Sequence, residues 1–300
     1  MRDQLRQLCE QYDCRLETDV KLSQHTTFHI GGTADFWVDI TSAQSLQALL
    51  HHCRTNSIPC FVLGKGSNIL ASDDGYRGVI LHLGSAFSEI KVSGMTLTCQ
   101  AGASLGTAAR IAAEHGLTGM ECLSGIPGTI GGALYMNAGA YGGEMKDVVV
   151  SCEYVSADGE LCTMPLADMD LSYRHSIFAE NGGTIVSVTL ELQTGDKEAI
   201  RARMEELLIQ RKTKQPLEYP SAGSTFKRPA GSYASLLIDQ CGLKGRSVGD
   251  AQVSEKHCGF VVNKGSASCA QVLQLCDEVR KEVQEKTGYI LELEPILLGI

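Results

Sequence analysis

The sequence predicts an α+β fold in three consecutive parts, at residues 1–83, 84–195 and 196–300. Three observations carry this expectation. Short strand-like apolar runs and amphipathic helical stretches are mixed along the chain, with no internal repeat. The middle part turns to hairpin patterning, with short runs joined at Ser93-Gly94 and at Ala157-Asp158-Gly159. A long Glu- and Arg-rich helix then opens at Gly195-Asp196, and its basic end and Pro216 mark a boundary.

Each element follows from local pattern. Residues 1–16 read as a short amphipathic helix with Leu5, Leu8, Cys9 and Tyr12 on one face. Phe36 to Ile40 reads as a strand, and Thr41-Ser42 caps a helix that turns Leu46, Leu49, Leu50 and Cys53 inward. After Pro59, Cys60 to Leu63 reads as a buried strand, a glycine-rich loop follows, and Gly78 to Leu81 is the next strand. This is a small β-helix-β unit with a loop at a strand's carboxyl end. Ile90–Val92 and Leu97–Cys99 form a hairpin, and Ser104 opens a helix through Ala113 that Gly116 ends. Val148–Tyr154 and Leu161–Met164 form a second hairpin, and Thr184 to Leu192 alternates as a strand. The last part holds the helix to about Lys212, a helix near Ser232–Gln240, a strand at Phe260–Val262, a helix from Ser268 to Lys286 and a final strand, Tyr289 to Leu293.

Composition excludes several classes. The chain is 43% apolar and 20% charged, enough to bury a core. Thirty-five acidic against 26 basic residues leave a net charge of −9, which argues against binding a nucleic-acid backbone. One Trp and 6% aromatics argue against a stacking platform for single strands. The opening Met1-Arg2-Asp3-Gln4-Leu5 turns polar at once, so no secretory signal is expected and a cytoplasmic location is. Cys122 to Gly143 is uncharged and long enough to span a bilayer, but its seven glycines, Pro127 and Asn137 make a poor helix, and a membrane span is rejected. The twelve cysteines include no CxxC pair and are expected reduced, mostly buried, with no metal site.

Glycine, at 32 residues, is in excess, and the excess concentrates where ligand loops are expected. Leu63-Gly64-Lys65-Gly66-Ser67-Asn68 follows a strand, and its backbone N–H groups and side-chain donors suit a phosphate or pyrophosphate; an ordinary tight turn explains it equally. It matches neither the Rossmann nor the Walker pattern. Ser124-Gly125-Ile126-Pro127-Gly128-Thr129-Ile130-Gly131-Gly132 is the second glycine-dense segment, and two such segments suggest one extended ligand such as a dinucleotide. Close helix packing is the plainer alternative. Arg174, between Tyr173 and His175-Ser176, has the fork geometry for a carboxylate, although a solvated turn fits as well. Ser221-Ala222-Gly223-Ser224-Thr225-Phe226-Lys227-Arg228 leaves Ser224 open for proton donation with cations beside it, a plain turn being the alternative, and no His-Asp pattern marks a serine hydrolase. Strand alternation puts Glu292 and Glu294 on one face, opposite the leucines, where one carboxylate serves a site or both line a solvated edge. His25, His29 and His257 default to structural hydrogen bonding.

The order of these segments resembles the family of UDP-N-acetylenolpyruvoylglucosamine reductases, compact form, over nearly the whole chain. The resemblance rests on His25-Thr26-Thr27-Phe28-His29-Ile30-Gly31-Gly32, Gly64 to Leu70, Gly125 to Ala133, Asn137 to Gly142, Tyr173 to Phe178, Ala222 to Lys227, Lys256-His257-Cys258-Gly259-Phe260 and Leu293 to Gly299. It implies a two-subdomain FAD-binding module of the vanillyl-alcohol-oxidase (PCMH) type at 1–83 and 84–195, then a C-terminal α+β substrate domain at 196–300. It implies NADPH-dependent reduction of UDP-N-acetylglucosamine enolpyruvate to UDP-N-acetylmuramate, in peptidoglycan precursor synthesis. Arg174 and Glu294 then match the pair near the substrate carboxylate, and Ser224 matches the proton donor. Gly64, Lys65, Gly66, Ser67, Asn68, Gly125, Ile126, Pro127, Gly128, Thr129, Gly131 and Gly132 match the segments that hold non-covalent FAD. Lys214, Lys227 and Asn263 are candidates for the substrate's diphosphate and uridine. Arg228 stands where many members carry Asn, and Lys65 where Gly or Asn is frequent. A monomer is expected, with no nucleic-acid or membrane partner. An FAD oxidase passing electrons to oxygen is the alternative activity, and a non-catalytic nucleotide-binding protein a further one.

Overall fold

The computed structural model describes residues 2–300. Among them seven α-helices occur: α1 (Arg2–Gln11), α2 (Ala43–Thr55), α3 (Leu105–Glu114), α4 (Ile130–Tyr135), α5 (Lys197–Lys214), α6 (Ala234–Gln240) and α7 (Cys269–Thr287). Contacts group the chain differently from three contiguous parts. One compact unit comprises Met1–Thr18, Phe36–Lys65 and Gly78–Arg211, and the other Asp19–Asp35, Gly66–Arg77 and Lys212–Ile300. Two of the chain's passages fall at places that matter for the site: between Lys65 and Gly66, inside the first glycine loop, and between Arg211 and Lys212, near the end of α5.

The first unit is organised by a five-stranded antiparallel sheet in the order Leu161–Pro165, Val149–Val155, Thr184–Glu191, Thr96–Gln100, Ile90–Ser93. Both expected hairpins are present, as are the strand and helix that follow Gly94 and Ser104. Cys60–Leu63 pairs in parallel with Val79–His82. That later strand lies between Cys60–Leu63 and Thr33–Asp39, so the strands flanking α2 are not direct neighbours. Only Leu63 of the Cys60 strand is fully buried; its three predecessors are half-buried. Ser42 begins α2 with a capping box, its hydroxyl accepting from Ser45 N at 3.1 Å while Ser45 Oγ accepts from Ser42 N at 3.0 Å. The core of this unit takes Leu46, Leu49, Leu50 and Cys53 from α2, alanines from α3 and the inward faces of the sheet.

The second unit has its own core, with Phe28, Ile30 and Leu70 packed among residues of α6 and α7 and of the strands Ala251–Val253 and Val261–Asn263. Helix α7 is closed at both ends by its sequence. Ser268 and Gln271 form a capping box, and Gly288 ends the helix in the left-handed region at φ +77°. Asp73 accepts from Cys269 N at 2.7 Å and Ala270 N at 3.0 Å, placing a carboxylate at the positive helix end. Ile296–Leu298 pairs in parallel with Ile69–Ala71.

The expected final strand, Tyr289 to Leu293, does not form. Leu293 makes one isolated bridge, to Phe226, and the strand proper is Ile296–Leu298. The alternation holds for one step only: Leu291 is buried and Glu292 exposed, but Leu293 and Glu294 are both half-buried, and the pairing is confined to the bonds at Glu292 and Glu294. Nine of the twelve cysteines are buried and all are free thiols. Burial pushes the thiols of Cys9, Cys99, Cys152 and Cys276 up to about 12, where they behave as small apolar groups. Among the described residues no helix is long and apolar enough to cross a membrane, and no group of three or more His, Cys, Asp or Glu is placed to hold a metal.

Candidate active site

In the first unit, the two glycine-dense segments meet. A Cβ on Gly64 would stand 2.5 Å from Thr129 Oγ1, so only glycine lets the Leu63-Gly64 backbone lie against the Thr129 side chain. Thr129 caps α4, its hydroxyl accepting from Gly132 N at 3.3 Å. The segment Ala101–Ser104, just after the strand Thr96–Gln100, fixes the second loop from behind. Ala103 O accepts from Ile130 N, and Ala101 O from Gly131 N, both at 2.8 Å; Leu105 N donates to Gly128 O at 3.0 Å. A Cβ on Gly131 would lie 2.7 Å from that of Ala101. Gly131 is therefore a packing glycine, whereas Pro127 and Gly132 are exposed and present the outer edge of the loop. Lys65 Nζ reaches Ser104 Oγ at 3.3 Å.

Gly66, Ser67 and Asn68 belong to the second unit. Gly66 is left-handed at φ +61°, and a Cβ there would run into the His25 carbonyl. Its own carbonyl accepts from Thr27 N at 3.2 Å, and Thr27 Oγ1 donates to Ser221 O at 2.7 Å. The His25–Ile30 run thus connects the loop to the segment that leads to Ser224. Asn68 Nδ2 donates to Glu294 O at 3.2 Å, and Asn68 O accepts from Ile296 N at 2.9 Å. Asn68 therefore holds the backbone of Glu294 in place.

Arg174 sits in the first unit on a turn closed between Ser172 and His175, itself left-handed at φ +56°. Non-glycine residues hold that conformation only when neighbours fix it. Two buried side chains do so. Asn137, left-handed at φ +44° and 1% exposed, donates to Ser172 O at 3.0 Å and to Glu144 Oε2 at 2.5 Å, and accepts from Lys146 N at 2.9 Å. Ser176 Oγ donates to Tyr135 O at 2.5 Å. The turn is thus bolted to the end of α4. Arg174 also lies 5.5 Å from the centre of the Tyr173 ring.

The first unit holds one more cation at the second glycine loop. Arg211, near the end of α5, has its Cδ 3.4 Å from where a Cβ on Gly125 would be. Burial pulls its pKa down from the ordinary value, partly opposed by Tyr141 nearby. A half-buried guanidinium with no hydrogen-bond partner among the described residues favours an anion.

In the second unit, Gly223 is left-handed at φ +79° and turns the chain into Ser224, which is half-buried. No described residue is hydrogen-bonded to the Ser224 hydroxyl. The next residues form a short antiparallel pairing around the Phe226–Leu293 bridge: Glu294 N donates to Thr225 O at 3.0 Å, and Lys227 N to Glu292 O at 2.9 Å. Glu294 is half-buried, whereas Glu292 is exposed and faces Lys227 Nζ at 3.4 Å. Burial lowers the pKa of His257, whose ring accepts from Gly259 N at 3.1 Å and shapes the turn whose Gly259 carbonyl meets Thr225 N at 2.8 Å.

The substrate candidates are placed diversely. Lys214 is exposed at the end of α5. Asn263 is 3% exposed, donating to Phe28 O at 3.3 Å and accepting from Gly265 N and Ala267 N at 3.0 Å each, so most of its amide serves the backbone. Sequence reasoning missed four contributors: the Ala101–Ser104 segment, Asn137, Arg211 and Thr225. The first two had a signal, a run of small residues and an amide inside an uncharged stretch. Arg211 and Thr225 had none, because ordinary charged helices and turns contain the same residues.

The glycine loop edges, free of carboxylates and flanked by Lys65 and Arg211, fit an anionic dinucleotide. Residues 34–165 match the family described as FAD binding domain. The fold and these loops thus define a flavin-dinucleotide-binding oxidoreductase. Residues 215–298 match the C-terminal domain of UDP-N-acetylenolpyruvoylglucosamine reductase. The reductase of that name from Agathobacter rectalis is 47% identical over 293 residues, covering 94% of this chain and 93% of its own length. Its namesake from Caldanaerobacter subterraneus is 45% identical over 297 residues, covering 99% and 97%. The crystal structure of UDP-N-acetylenolpyruvylglucosamine reductase from Thermus caldophilus superposes with a TM-score of 0.82 at 37% identity, covering 95% of this chain and 99% of its own. The chain belongs to the UDP-N-acetylenolpyruvoylglucosamine reductase family.

One consequence is measurable at Gly64. Gly64→Ala forces the added methyl onto the Thr129 hydroxyl, which must leave its Gly132 cap. The expected result is protein purified with less FAD per chain, read from the ratio of visible to ultraviolet absorbance. Full flavin occupancy in the variant would show that the Gly64–Thr129 contact does not shape the cofactor loop.

Proposed function

We infer that the chain catalyses the NADPH-dependent reduction of UDP-N-acetylglucosamine enolpyruvate to UDP-N-acetylmuramate, supplying peptidoglycan precursors. The observation that carries this is likeness over nearly the whole length to curated reductases of that name, matched by the superposition on a solved one. That full-length likeness leaves the oxygen-using oxidase without support. The reading places the enzyme in the cytoplasm, where NADPH and nucleotide sugars are found.

The chain's residues take the following parts. Gly64, Lys65, Gly66, Ser67 and the Gly125–Gly132 loop would hold FAD, with Arg211 as a counter-charge. Asn68 serves more by fixing Glu294 than by offering its amide outward. The chemistry FAD supplies when bound is hydride transfer, taken from NADPH and delivered to the enol ether's methylene carbon. Negative charge then builds toward the substrate carboxylate. Arg174 stabilises it there, from a turn whose backbone Asn137 and Ser176 hold in advance. Glu294, protonated or sharing a proton, hydrogen-bonds the same developing enolate. Ser224 gives its hydroxyl proton to the alpha carbon; a neutral serine suffices because a carbon enolate is strongly basic and the hydroxyl is unspent elsewhere. Lys227 and Lys214 are the cations we assign to the substrate's diphosphate. Asn263 contributes by shaping the backbone around Phe28.

The test is spectroscopic. The purified protein is expected to be yellow, to bleach on addition of NADPH without oxygen, and to regain its colour when the enolpyruvyl sugar nucleotide is mixed in. Bleached flavin that stays bleached with that substrate would remove the assignment. Rapid recovery in air alone would favour the oxidase.

A further inference from the structure

Ser224 and Glu294 lie 70 positions apart in sequence, and one buried residue connects the segments that carry them. Thr225 is 3% exposed and makes three hydrogen bonds, each to a different part of the second unit's site. Its N–H donates to Gly259 O at 2.8 Å, which fixes the turn that His257 shapes. Its carbonyl accepts from Glu294 N at 3.0 Å. Its hydroxyl accepts from Val261 N at 2.8 Å, satisfying a backbone donor that is itself buried. The two backbone bonds could be made by any residue, but the third needs a side chain with an acceptor on a short stem.

We propose that Thr225 is the positioning residue of the second unit's catalytic groups, its hydroxyl bond to Val261 N holding the Ser224 turn in register with Glu294. This rests on the roles given to Ser224 and Glu294 above. Without the hydroxyl the Val261 N–H is left buried and unpaired, so the segment must shift to reach another acceptor. A shift at residue 225 is passed directly to Ser224 on one side and across the pairing to Glu294 on the other. Proton delivery is sensitive to such displacements because it needs the donor within hydrogen-bond reach of the receiving atom.

The experiment compares Thr225→Val, which keeps shape and loses the acceptor, with Thr225→Ser, which keeps the acceptor. Both are studied as FAD-loaded holoenzyme. For Thr225→Val, flavin bleaching by NADPH is expected to keep its rate to within about twofold, while re-oxidation by the enolpyruvyl substrate slows by roughly tenfold or more. The solvent deuterium isotope effect on re-oxidation is expected to rise, because proton delivery has become the slow event. Thr225→Ser is expected to restore re-oxidation to within about threefold of the natural protein. Unchanged re-oxidation in Thr225→Val overturns the proposal, as does equal slowing of both half-reactions or no recovery with serine. If Thr225→Val yields no holoenzyme, Thr225→Ala is read in the same way, and failure of both assigns Thr225 a folding role and overturns the proposal. Ser224→Ala measured alongside separates the two levels: if it re-oxidises normally, the role given to Ser224 fails; if it is slow while Thr225→Val is not, only the role of Thr225 fails.

Discussion

Replacing Ser224 by alanine is expected to lower turnover by a factor of roughly 10² or more, the usual contribution of a positioned general acid. The structural grounds are specific. Gly223 turns the chain in the left-handed region just before Ser224, which is half-buried. The hydroxyl is not committed to any described residue, so its removal leaves no buried partner unpaired. Thr225 and Phe226 are buried behind it, and their pairing with Leu293 and Glu294 persists in the variant because it is made by backbone atoms. Folding and FAD content should therefore be unchanged, and NADPH should bleach the flavin at the usual rate. The loss belongs to re-oxidation by substrate, measured by stopped flow. Turnover that survives intact would take Ser224 out of the reaction.

Arg174→Ala is expected to reduce turnover by a comparable or larger factor, about 10²–10³, the magnitude associated with losing one preorganised group at a developing oxyanion. The chain invests in this position. A non-glycine residue at φ +56° is uncommon, and a buried asparagine and a buried serine tie its turn to neighbouring backbone. Removing the guanidinium leaves those two bonds in place and takes away the charge. Arg174→Lys should recover little, since an ammonium lacks the planar fork that addresses two carboxylate oxygens at once. Steady-state kinetics with the enolpyruvyl substrate decide the matter, and near-normal rates in Arg174→Ala would assign the turn a purely architectural purpose.

Much of this was legible in the residues before any coordinates. Loops whose glycines are forced by left-handed backbone or by crowding, such as Gly66 against His25 and Gly64 against Thr129, show in sequence because no other residue type fits. Hairpins and capped helices were legible for the same reason: their causes are local, within a few residues of their effects. The final strand misled because the alternating residue types of Leu291–Glu294 are compatible with an irregular segment, which here pairs with another chain segment only around Leu293. Thr225 was invisible because its partners are distant in sequence, and Arg211 because charged helices carry such residues routinely, whereas Asn137 could be noticed as an amide inside an uncharged stretch. Asn68 was read as a cofactor residue from its place in a glycine loop; that its amide also donates to the backbone of Glu294 had no local signal.

That last bond joins residues 226 positions apart, and the strand Ile69–Ala71 beside it waits equally long for Ile296–Leu298. The second half of the first glycine loop therefore lacks these partners until residues 294–298 have joined the fold. Pairings so far apart close slowly, since a large chain entropy must be given up before any contact rewards it. A molecule in which these pairings are still open carries a bare edge on the apolar strand Ile69–Ala71.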